Sequence, residues 1–336
     1  MLNTKFFVTG ANGQLGRDLV HEFTARNLEC IASDIQDNFA GPESCKYVQL
    51  DITDYDSVRN ALTQERPDRI IHCAAWTAVD SAEDEANKPK VFAINSTGTE
   101  NIARVCAELN DTPLNPPLSG RDFAAPSPVK GKAGKGSSSS PIVMTYISTD
   151  YIFNGQGTEA WKPDDESYSP LNYYGLTKLQ GELAVKKYLS DFFIVRIAWV
   201  FGPHGNNFVR TMLNLAKTHN SLRVVNDQIG TPTYTPDLAK LLVDMNLTNK
   251  FGVYNATNDE QGRFISWYDF ACEIFSQAGI NINVTPVSTL EYGLSKARRP
   301  SNSRLDKSKL KEAGFELLPD WKDALRRYLI TNADNS

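Results

Sequence analysis

The segment at residues 5–16, KFFVTGANGQLG, constrains the fold of this chain most. Its apolar start predicts a short buried strand, and apolar residues recur at helical spacing after it, so a helix is expected to start near Gln14. Between the two come Gly10, Gly13 and Gly16 at three-residue spacing. Glycines let the backbone turn sharply, and the free N–H groups of a helix N-terminus attract phosphates. A strand, glycine turn and helix in this order predict the pyrophosphate site of a dinucleotide.

The composition is that of an ordinary soluble protein of 336 residues, with 41% hydrophobic and 22% charged residues. The net charge of −5 argues against a nucleic-acid or anionic membrane surface. We find no apolar run long enough to span a bilayer and expect no signal peptide before the first strand. The five cysteines are scattered without a C-x-x-C pair, which indicates reduced thiols in a cytoplasmic protein.

Strands and helices alternate along the first two thirds of the chain. Strands are expected after the first at residues 29–33, 47–50, 69–75, 142–147 and 192–199, and helices at 54–65, 89–110 and from 174 onward. This alternation predicts an α/β protein with the doubly wound parallel sheet of a Rossmann fold. We therefore expect a Rossmann domain at residues 1–200 and, interleaved with it, a smaller substrate-binding lobe mainly at 201–336.

Residues at the expected strand ends suit a nucleotide. Asp34 ends the second strand, where a carboxylate either accepts hydrogen bonds from ribose hydroxyls and repels a 2′-phosphate or simply caps a turn. Ala74 and Ala75 are small enough to let a nucleotide lie against the sheet edge. His72 is expected to be a hydrogen-bonded core histidine. Asn95 either ties a loop to the site or faces solvent.

One segment breaks the pattern. Residues 111–141 are rich in Pro, Gly, Ser, Lys and Ala, a composition that cannot bury enough apolar area to order itself. We expect a flexible insertion there. Its glycines approach a P-loop, but Ser137 stands where that motif requires lysine, so the match fails.

A candidate catalytic group follows the fifth expected strand. Ser148 and Thr149 lie at its carboxyl end, and Tyr174 and Lys178 are four residues apart on one helical face. A nearby ammonium favours the phenolate of a tyrosine, which would then exchange a proton with a carbonyl group, while Thr149 holds the same oxygen. Ser148 is the alternative for the hydroxyl role. The same Y-G-L-[ST]-K pattern recurs at residues 292–296, but without a hydroxyl-bearing strand end before it.

Together these motifs resemble the dTDP-4-dehydrorhamnose reductases, a family of extended short-chain dehydrogenases/reductases. The matching stretches span nearly the whole chain except the insertion: VTGANGQLG, HCAAWTAVDSAED, YISTDYIFNG, PLNYYGLTKLQGE, RIAWVFG, VVNDQIGTPTY and RRPSNSRLD. The resemblance implies NADPH- or NADH-dependent reduction of the C4 ketone of dTDP-4-dehydro-L-rhamnose to dTDP-L-rhamnose.

The resemblance also implies roles for individual residues. The catalytic roles fall to Thr149, Tyr174 and Lys178. Besides Tyr174 and Lys178, the cofactor-binding positions are Gly10, Asn12, Gly13, Gln14, Leu15, Gly16, Asp34, Asp51, Ile52, Ala74, Ala75 and Thr77. The substrate-binding positions are Thr149, Tyr151, Trp199, Asn207 and Arg299, although Arg299 is equally consistent with an ordinary surface charge. Some family members pair through Mg²⁺ at a dimer interface, but no carboxylate cluster of this chain is assignable to it. We expect a monomer or homodimer.

Two other functions fit the same motifs. A nucleotide-sugar epimerase or dehydratase shares the fold, but a 4,6-dehydratase is expected to carry an Asp-Glu pair beside the hydroxyl, where this chain has Asp150 and Tyr151. A non-catalytic, NADP-binding regulatory subunit like that of methionine adenosyltransferase also resembles this family. A hydrolase is disfavoured, since neither G-x-S-x-G nor H-E-x-x-H occurs.

Overall fold

The computed structural model of the protein describes residues 4–111 and 141–333. The insertion expected at residues 111–141 lies outside the described residues apart from its two end residues. The described strands are β1 (Phe6–Thr9), β2 (Cys30–Asp34), β3 (Lys46–Gln49), β4 (Arg69–His72), β5 (Val143–Thr149), β6 (Phe192–Ile197), β7 (Val200–Phe201), β8 (Ser221–Val225), β9 (Ile229–Gly230), β10 (Thr233–Tyr234), β11 (Gly252–Asn255), β12 (Asn258–Asp259), β13 (Ile265–Ser266), β14 (Asn283–Val287) and β15 (Leu318–Asp320).

Helices connect these strands. They are α1 (Gln14–Ala25), α2 (Tyr55–Glu65), α3 (Lys88–Phe92), α4 (Gly98–Asp111), α5 (Tyr173–Tyr188), α6 (Phe208–Ala216), α7 (Thr235–Asn246), α8 (Trp267–Gln277), α9 (Thr289–Tyr292), α10 (Ser308–Glu312) and α11 (Trp321–Ala333). Single 3₁₀ turns at Ser81–Glu83 and Asp150–Ile152 and a π-helical turn at Ala93–Thr97 complete the described elements.

Seven parallel strands form the central sheet in the order β11-β6-β5-β4-β1-β2-β3. The prediction of a doubly wound Rossmann fold is confirmed. The strand order reverses between β1 and β4, and ligands bind in the crevice that such a reversal opens at the carboxyl ends of the strands. The glycine turn after β1 and the Ala74 region after β4 border this crevice.

The sheet separates two apolar layers because successive side chains of a strand point to opposite faces. Phe6 and Val8 pack with α1 and α7, whereas Phe7 packs on the other face with α2 and α4. A third cluster, centred on Phe270 and Trp321, joins α6, α8 and α11 in the C-terminal lobe. Both faces of the strands are therefore buried, which explains why three apolar residues, Phe6, Phe7 and Val8, follow one another in β1 instead of alternating with polar ones.

The structure differs from the sequence-based expectations mainly at element ends. β4 ends at His72 rather than residue 75, and β5 continues through Thr149. The expected helix at 89–110 is interrupted by the π-helical turn, in which the Asn95 side chain binds the backbone of Trp76. Sequence periodicity does not register one extra residue in a turn.

Elements beyond residue 200 serve both parts of the molecule. β11 pairs with β6 at the edge of the central sheet, and α7 packs against α1. The division of the chain at residue 200 stays a prediction. Within the described residues, no helix is both long and apolar enough to cross a membrane.

Candidate active site

The turn after β1 requires glycine at two positions, because other backbone atoms approach them closely. Gly10 has a φ of +69°, and a Cβ there would lie 2.6 Å from the backbone nitrogen of Ala74. A Cβ on Gly16 would lie 2.1 Å from the carbonyl oxygen of Gly10. Gly13 is the N-cap of α1, so no side chain occupies the free N–H groups, and the first turn of this helix contains no acidic residue. The turn thus presents a positive helix end with room for an anion.

A cavity of about 390 Å³ lies over this turn. The expected residues that line it are Gly10, Asn12, Gly13, Asp34, Asp51, Ile52, Ala74 and Ala75. It is also lined by residues that sequence reasoning missed, among them Thr9, Cys73, Lys90 and Ile94. Cys73 directly precedes Ala74, so extending the strand-end argument by one residue would have found it. The turn has no room for a Cβ at Gly10 or Gly16, and a cavity lies directly over it. These two features fit the binding of a dinucleotide.

Asp34 lines this cavity at the end of β2. Its Oδ2 accepts a hydrogen bond of 3.0 Å from the Asn12 backbone N–H. The Asn12 side chain points elsewhere: it donates to the Asn38 carbonyl oxygen at 2.8 Å and accepts from the Ala40 N–H at 3.1 Å. Asn12 therefore ties the glycine turn to the loop after β2.

Six expected cofactor positions lie away from the cavity lining: Gln14, Leu15, Gly16, Thr77, Tyr174 and Lys178. Leu15 is buried in the core, and Gly16 supports the turn from behind. Gln14 accepts a hydrogen bond of 3.3 Å from Asn207, and Thr77 is exposed. Their roles toward a cofactor stay predictions.

Thr149, Tyr174 and Lys178 come together at the carboxyl end of β5. Lys178 is buried on α5, donates to the Ile147 carbonyl oxygen at 2.7 Å and lies 4.1 Å from the centre of the Tyr146 ring. Burial lowers the pKa of Lys178 to about 7, although the Glu182 carboxylate opposes this. Its ammonium is thus held by backbone and ring.

The pKa of Tyr174 changes in the direction opposite to the expectation. Burial is the largest cause that raises it, and the Asp150 charge adds to the rise, while the Thr149 hydroxyl lowers it. Sequence could not show how deeply the phenol is buried. A raised pKa keeps the phenol protonated near neutrality, which is the form that donates a proton to a carbonyl oxygen.

Strand alternation separates the two candidate hydroxyls. Thr149 lies on the Tyr174 side, and Ser148 is buried with no hydrogen-bond partner for its Oγ among the described residues. The second Y-G-L-[ST]-K copy does not form a helical pair, because α9 ends at Tyr292 and Gly293 takes a left-handed conformation. Only the first copy thus has helical geometry.

Of the expected substrate positions, Arg299 and Tyr151 contact each other, whereas Trp199 packs on another aromatic ring. Arg299 forms an ion pair with Asp80 and lies beside the Tyr151 hydroxyl. Burial raises the pKa of Tyr151 to about 12, partly offset by the Arg299 charge. Trp199, with a φ of +49°, stacks on Trp267 at 3.9 Å between ring centres.

Asn207 is the N-cap of α6. Its side chain accepts from the Arg210 N–H at 3.0 Å and donates to the Gly202 carbonyl oxygen at 2.9 Å. It anchors the loop that contacts Gln14. Substrate contact by Asn207 stays a prediction, as it does for Tyr151, Trp199 and Arg299.

His72 and Asn95 are both buried and hydrogen-bonded, as expected for His72 and left undecided for Asn95. His72 is a core histidine: it contacts the Thr9 hydroxyl at 2.6 Å and the Thr99 hydroxyl at 3.0 Å, and burial lowers its pKa to about 3. Asn95 is 1% exposed and joins Trp76 to Thr177 on α5. It ties a loop to the site.

Comparisons with known proteins identify the family of this chain. The family model described as "RmlD substrate binding domain" matches residues 4–114 and 134–333. This chain belongs to that family. The spore coat polysaccharide biosynthesis protein SpsK of Bacillus subtilis is 35% identical over 326 residues, covering 97% of each chain. A dTDP-4-dehydrorhamnose reductase of Aggregatibacter actinomycetemcomitans is 33% identical, covering 96% of this chain and 97% of the relative.

A solved member of the RmlD family has the same fold. The dTDP-4-dehydrorhamnose reductase of Bacillus anthracis, in complex with NADP, superposes with a TM-score of 0.80 at 33% identity, covering 98% of this chain and all of that one. No group of three or more His, Cys, Asp or Glu residues within 4–111 and 141–333 is placed to hold a metal ion.

Proposed function

We propose that this protein reduces the C4 ketone of dTDP-4-dehydro-L-rhamnose to dTDP-L-rhamnose with NADPH or NADH. The observation that carries this proposal is the position of Thr149, Tyr174 and Lys178 at the carboxyl edge of the sheet, beside a glycine turn that fits a dinucleotide. Membership of the RmlD family and relatives named as reductases support the substrate. The epimerase and regulatory-subunit alternatives become outcomes of the test.

In the proposed mechanism, the residues of this chain handle binding and the proton. A reduced nicotinamide dinucleotide, when bound, supplies the hydride that reduces the ketone carbon. Gly10, Gly13 and the start of α1 would hold its pyrophosphate. Tyr174 donates its phenolic proton to the ketone oxygen, and Thr149 donates a hydrogen bond to the same oxygen.

Lys178 has a supporting part in this mechanism. Its contact with the Ile147 carbonyl oxygen fixes α5 against β5, which sets the distance between Tyr174 and Thr149. On the substrate side, Arg299 offers a planar cation suited to a diphosphate oxygen, next to Tyr151.

The choice between NADPH and NADH rests on Asp34. A carboxylate at this position accepts hydrogen bonds from the ribose hydroxyls and repels a 2′-phosphate. We expect the enzyme to accept both cofactors and to bind NADH more tightly. Replacing Asp34 with Asn should shift the ratio of the two dissociation constants toward NADPH, as measured by fluorescence titration. The oligomeric state and the cytoplasmic location stay predictions.

The test is oxidation of NADPH and NADH with dTDP-4-dehydrorhamnose made in situ, with the sugar product identified. Tyr174→Phe should lower kcat by about 10²- to 10⁴-fold, because the proton donor is gone. Tyr292→Phe, in the second copy of the motif, is the matched control and should leave kcat unchanged. Sugar conversion without net cofactor oxidation would indicate an epimerase. Tight cofactor binding without turnover would favour the regulatory subunit, and turnover surviving in Tyr174→Phe would contradict the assigned proton donor.

A further inference from the structure

The Thr149 hydroxyl lies against the carboxyl group of the next residue. Thr149 Oγ1 and Asp150 Oδ1 are 3.0 Å apart, and the Tyr151 backbone N–H donates to the same Oγ1 at 3.3 Å. A hydroxyl has one proton and two lone pairs. If Thr149 donates that proton to an ionised Asp150, it has none left for a substrate oxygen.

Asp150 is placed where its neutral form is favoured. It is 1% exposed, and its Oδ2 has no hydrogen-bond partner among the described residues. A buried carboxylate without a partner cation is costly, so the group takes up a proton instead. Burial raises the pKa of Asp150 to about 7, although the Ser303 and Thr149 hydroxyls oppose this rise.

The surroundings of Asp150 are hydroxyl groups rather than cations. Its own pKa responds to the Ser303 and Thr149 hydroxyls, and its charge acts on the phenols of Tyr151 and of Tyr174 on α5. Two cations lie on the same segments, Lys178 on α5 and Arg299 beside Tyr151, with Asp80 paired to Arg299. Arg299 is engaged by Asp80 and Tyr151, and Lys178 directs its ammonium to a backbone carbonyl. Both cations are thus held by other groups.

Two hydrogen-bond directions are compatible with the contact of 3.0 Å. With Asp150 protonated, its O–H donates to Thr149, and the Thr149 proton is free to point at the ketone oxygen beside Tyr174. With Asp150 ionised, Thr149 donates to the carboxylate and offers only a lone pair, which can also accept the Tyr174 proton. When Asp150 is ionised, the Thr149 and Tyr174 hydroxyls therefore donate to other protein groups instead of the substrate oxygen.

We propose that Asp150 is a positioning residue for the reduction and that its protonated form turns the Thr149 hydroxyl toward the ketone oxygen. This inference rests on the proposed function. Asp150 transfers no proton to the substrate: the proton that the ketone oxygen gains comes from Tyr174, and the Asp150 proton stays in its hydrogen bond to Thr149.

The test compares kcat of the wild type and Asp150→Asn at saturating substrate from about pH 5.5 to about pH 9, the range that covers a titration near neutrality. The Asn amide can donate to Thr149 at every pH. The ratio of variant to wild-type kcat should stay near 1 at low pH and rise about tenfold per unit once Asp150 ionises. Because Lys178 is present in both proteins, its own titration cancels from this ratio. Asp164→Asn, an exposed carboxylate that pairs with Lys309, is the matched control and should give a flat ratio.

Infrared difference spectroscopy of the cofactor-bound enzyme gives a second readout. The carbonyl stretch of a protonated carboxylic acid should be lost in Asp150→Asn and should shift in Thr149→Val, where its hydrogen-bond partner is missing. A ratio that does not change with pH, or an Asp150 that is ionised throughout, would overturn this inference and leave the proposed function standing. Absence of wild-type turnover at every pH would overturn the function and the positioning role together.

Discussion

Asn95 binds both backbone groups of Trp76 and one side chain of the helix that carries Tyr174 and Lys178. Its Oδ1 accepts from the Trp76 N–H at 2.8 Å, and its Nδ2 donates to the Trp76 carbonyl oxygen and the Thr177 hydroxyl, each at 3.1 Å. A residue in the π-helical turn thus fixes the loop after β4 relative to α5.

Asn95→Ala should lower both stability and kcat. Removing the amide leaves the half-buried Trp76 backbone groups and the buried Thr177 hydroxyl without this partner, which costs about 1–3 kcal/mol in the free energy of unfolding. Because α5 loses an anchor, kcat should fall about tenfold or more through misplacement of Tyr174. Urea unfolding and steady-state kinetics measure the two effects. Asn246→Ala is the control, since Asn246 is equally buried and bonded to Thr145 and Leu242. Equal kcat losses in both variants would contradict the anchoring role.

Gly10→Ala tests the glycine cradle. The substitution places a Cβ at a φ of +69° and against the Ala74 backbone. We expect cofactor affinity to fall at least about tenfold, which corresponds to roughly 1.4 kcal/mol. Isothermal titration with NADPH and NADH measures it.

Gly157→Ala separates the effect of a left-handed backbone from the effect of a close contact with the Ala74 backbone. Gly157 has a φ of +79°, but nothing lies within 4 Å of a Cβ built there. This variant should lose only about 1–2 kcal/mol of stability from the left-handed conformation and keep its cofactor affinity. Unchanged affinity in Gly10→Ala would show that the turn does not form the cofactor site.

Much of this architecture could be predicted from sequence because its signals are local. The strand, glycine turn and helix at residues 5–16 depend on neighbouring residues only, and the observed α1 begins at the predicted Gln14. The position of the site at the carboxyl edge of the sheet then follows from the parallel topology. The same topology predicts that Thr149 and Tyr174 share this edge.

What sequence could not give depends on tertiary contacts. The π-helical turn exists where Asn95 reaches Trp76, and β11 joins β6 although 54 residues separate Ile197 from Gly252 in the chain, leaving no local signal. The expectation that the pKa of Tyr174 is lowered was wrong, because burial of the phenol raises this pKa and is the largest cause. Burial is a property of the folded molecule, so sequence does not show it. Sequence places Asp150 next to Thr149, but it does not show the burial that favours the neutral carboxyl group.

The buried ion pair between Glu182 and Arg196 predicts a large loss of stability in Glu182→Gln. Both side chains are fully buried, and Arg196 donates to the two carboxylate oxygens at 3.0 and 2.9 Å. Breaking such a pair leaves an uncompensated charge and costs about 3–5 kcal/mol. The free energy of unfolding in urea measures it.

An exposed pair provides the control for this variant. Glu166, 74% exposed, pairs with Lys186 at 3.4 Å, and Glu166→Gln should change stability by less than about 1 kcal/mol. Similar losses in the two variants would mean that Glu182 contributes through packing rather than through its charge.

Asp18→Asn should make the protein more stable, by an amount that grows from about pH 4 to about pH 6. Asp18 is 8% exposed on α1, and its Oδ2 has no hydrogen-bond partner among the described residues. Burial raises the pKa of Asp18 from 3.8 to about 6, although the Thr235 hydroxyl opposes this, so the folded chain holds a proton that the unfolded chain releases. Stability is therefore highest below the unfolded pKa and falls as the pH rises through the folded value.

The expected gain follows from that shift. Asn keeps the shape of the side chain without the buried charge, so the difference in unfolding free energy should be near zero at about pH 4 and reach at most roughly 3 kcal/mol above pH 6. Thermal and urea unfolding across this range measure the difference. Asp37→Asn, at an exposed position, should give a pH-independent difference near zero. A gain that is equally large at pH 4 would contradict the titration of Asp18, because a carboxyl group already protonated in the fold has no charge for the substitution to remove.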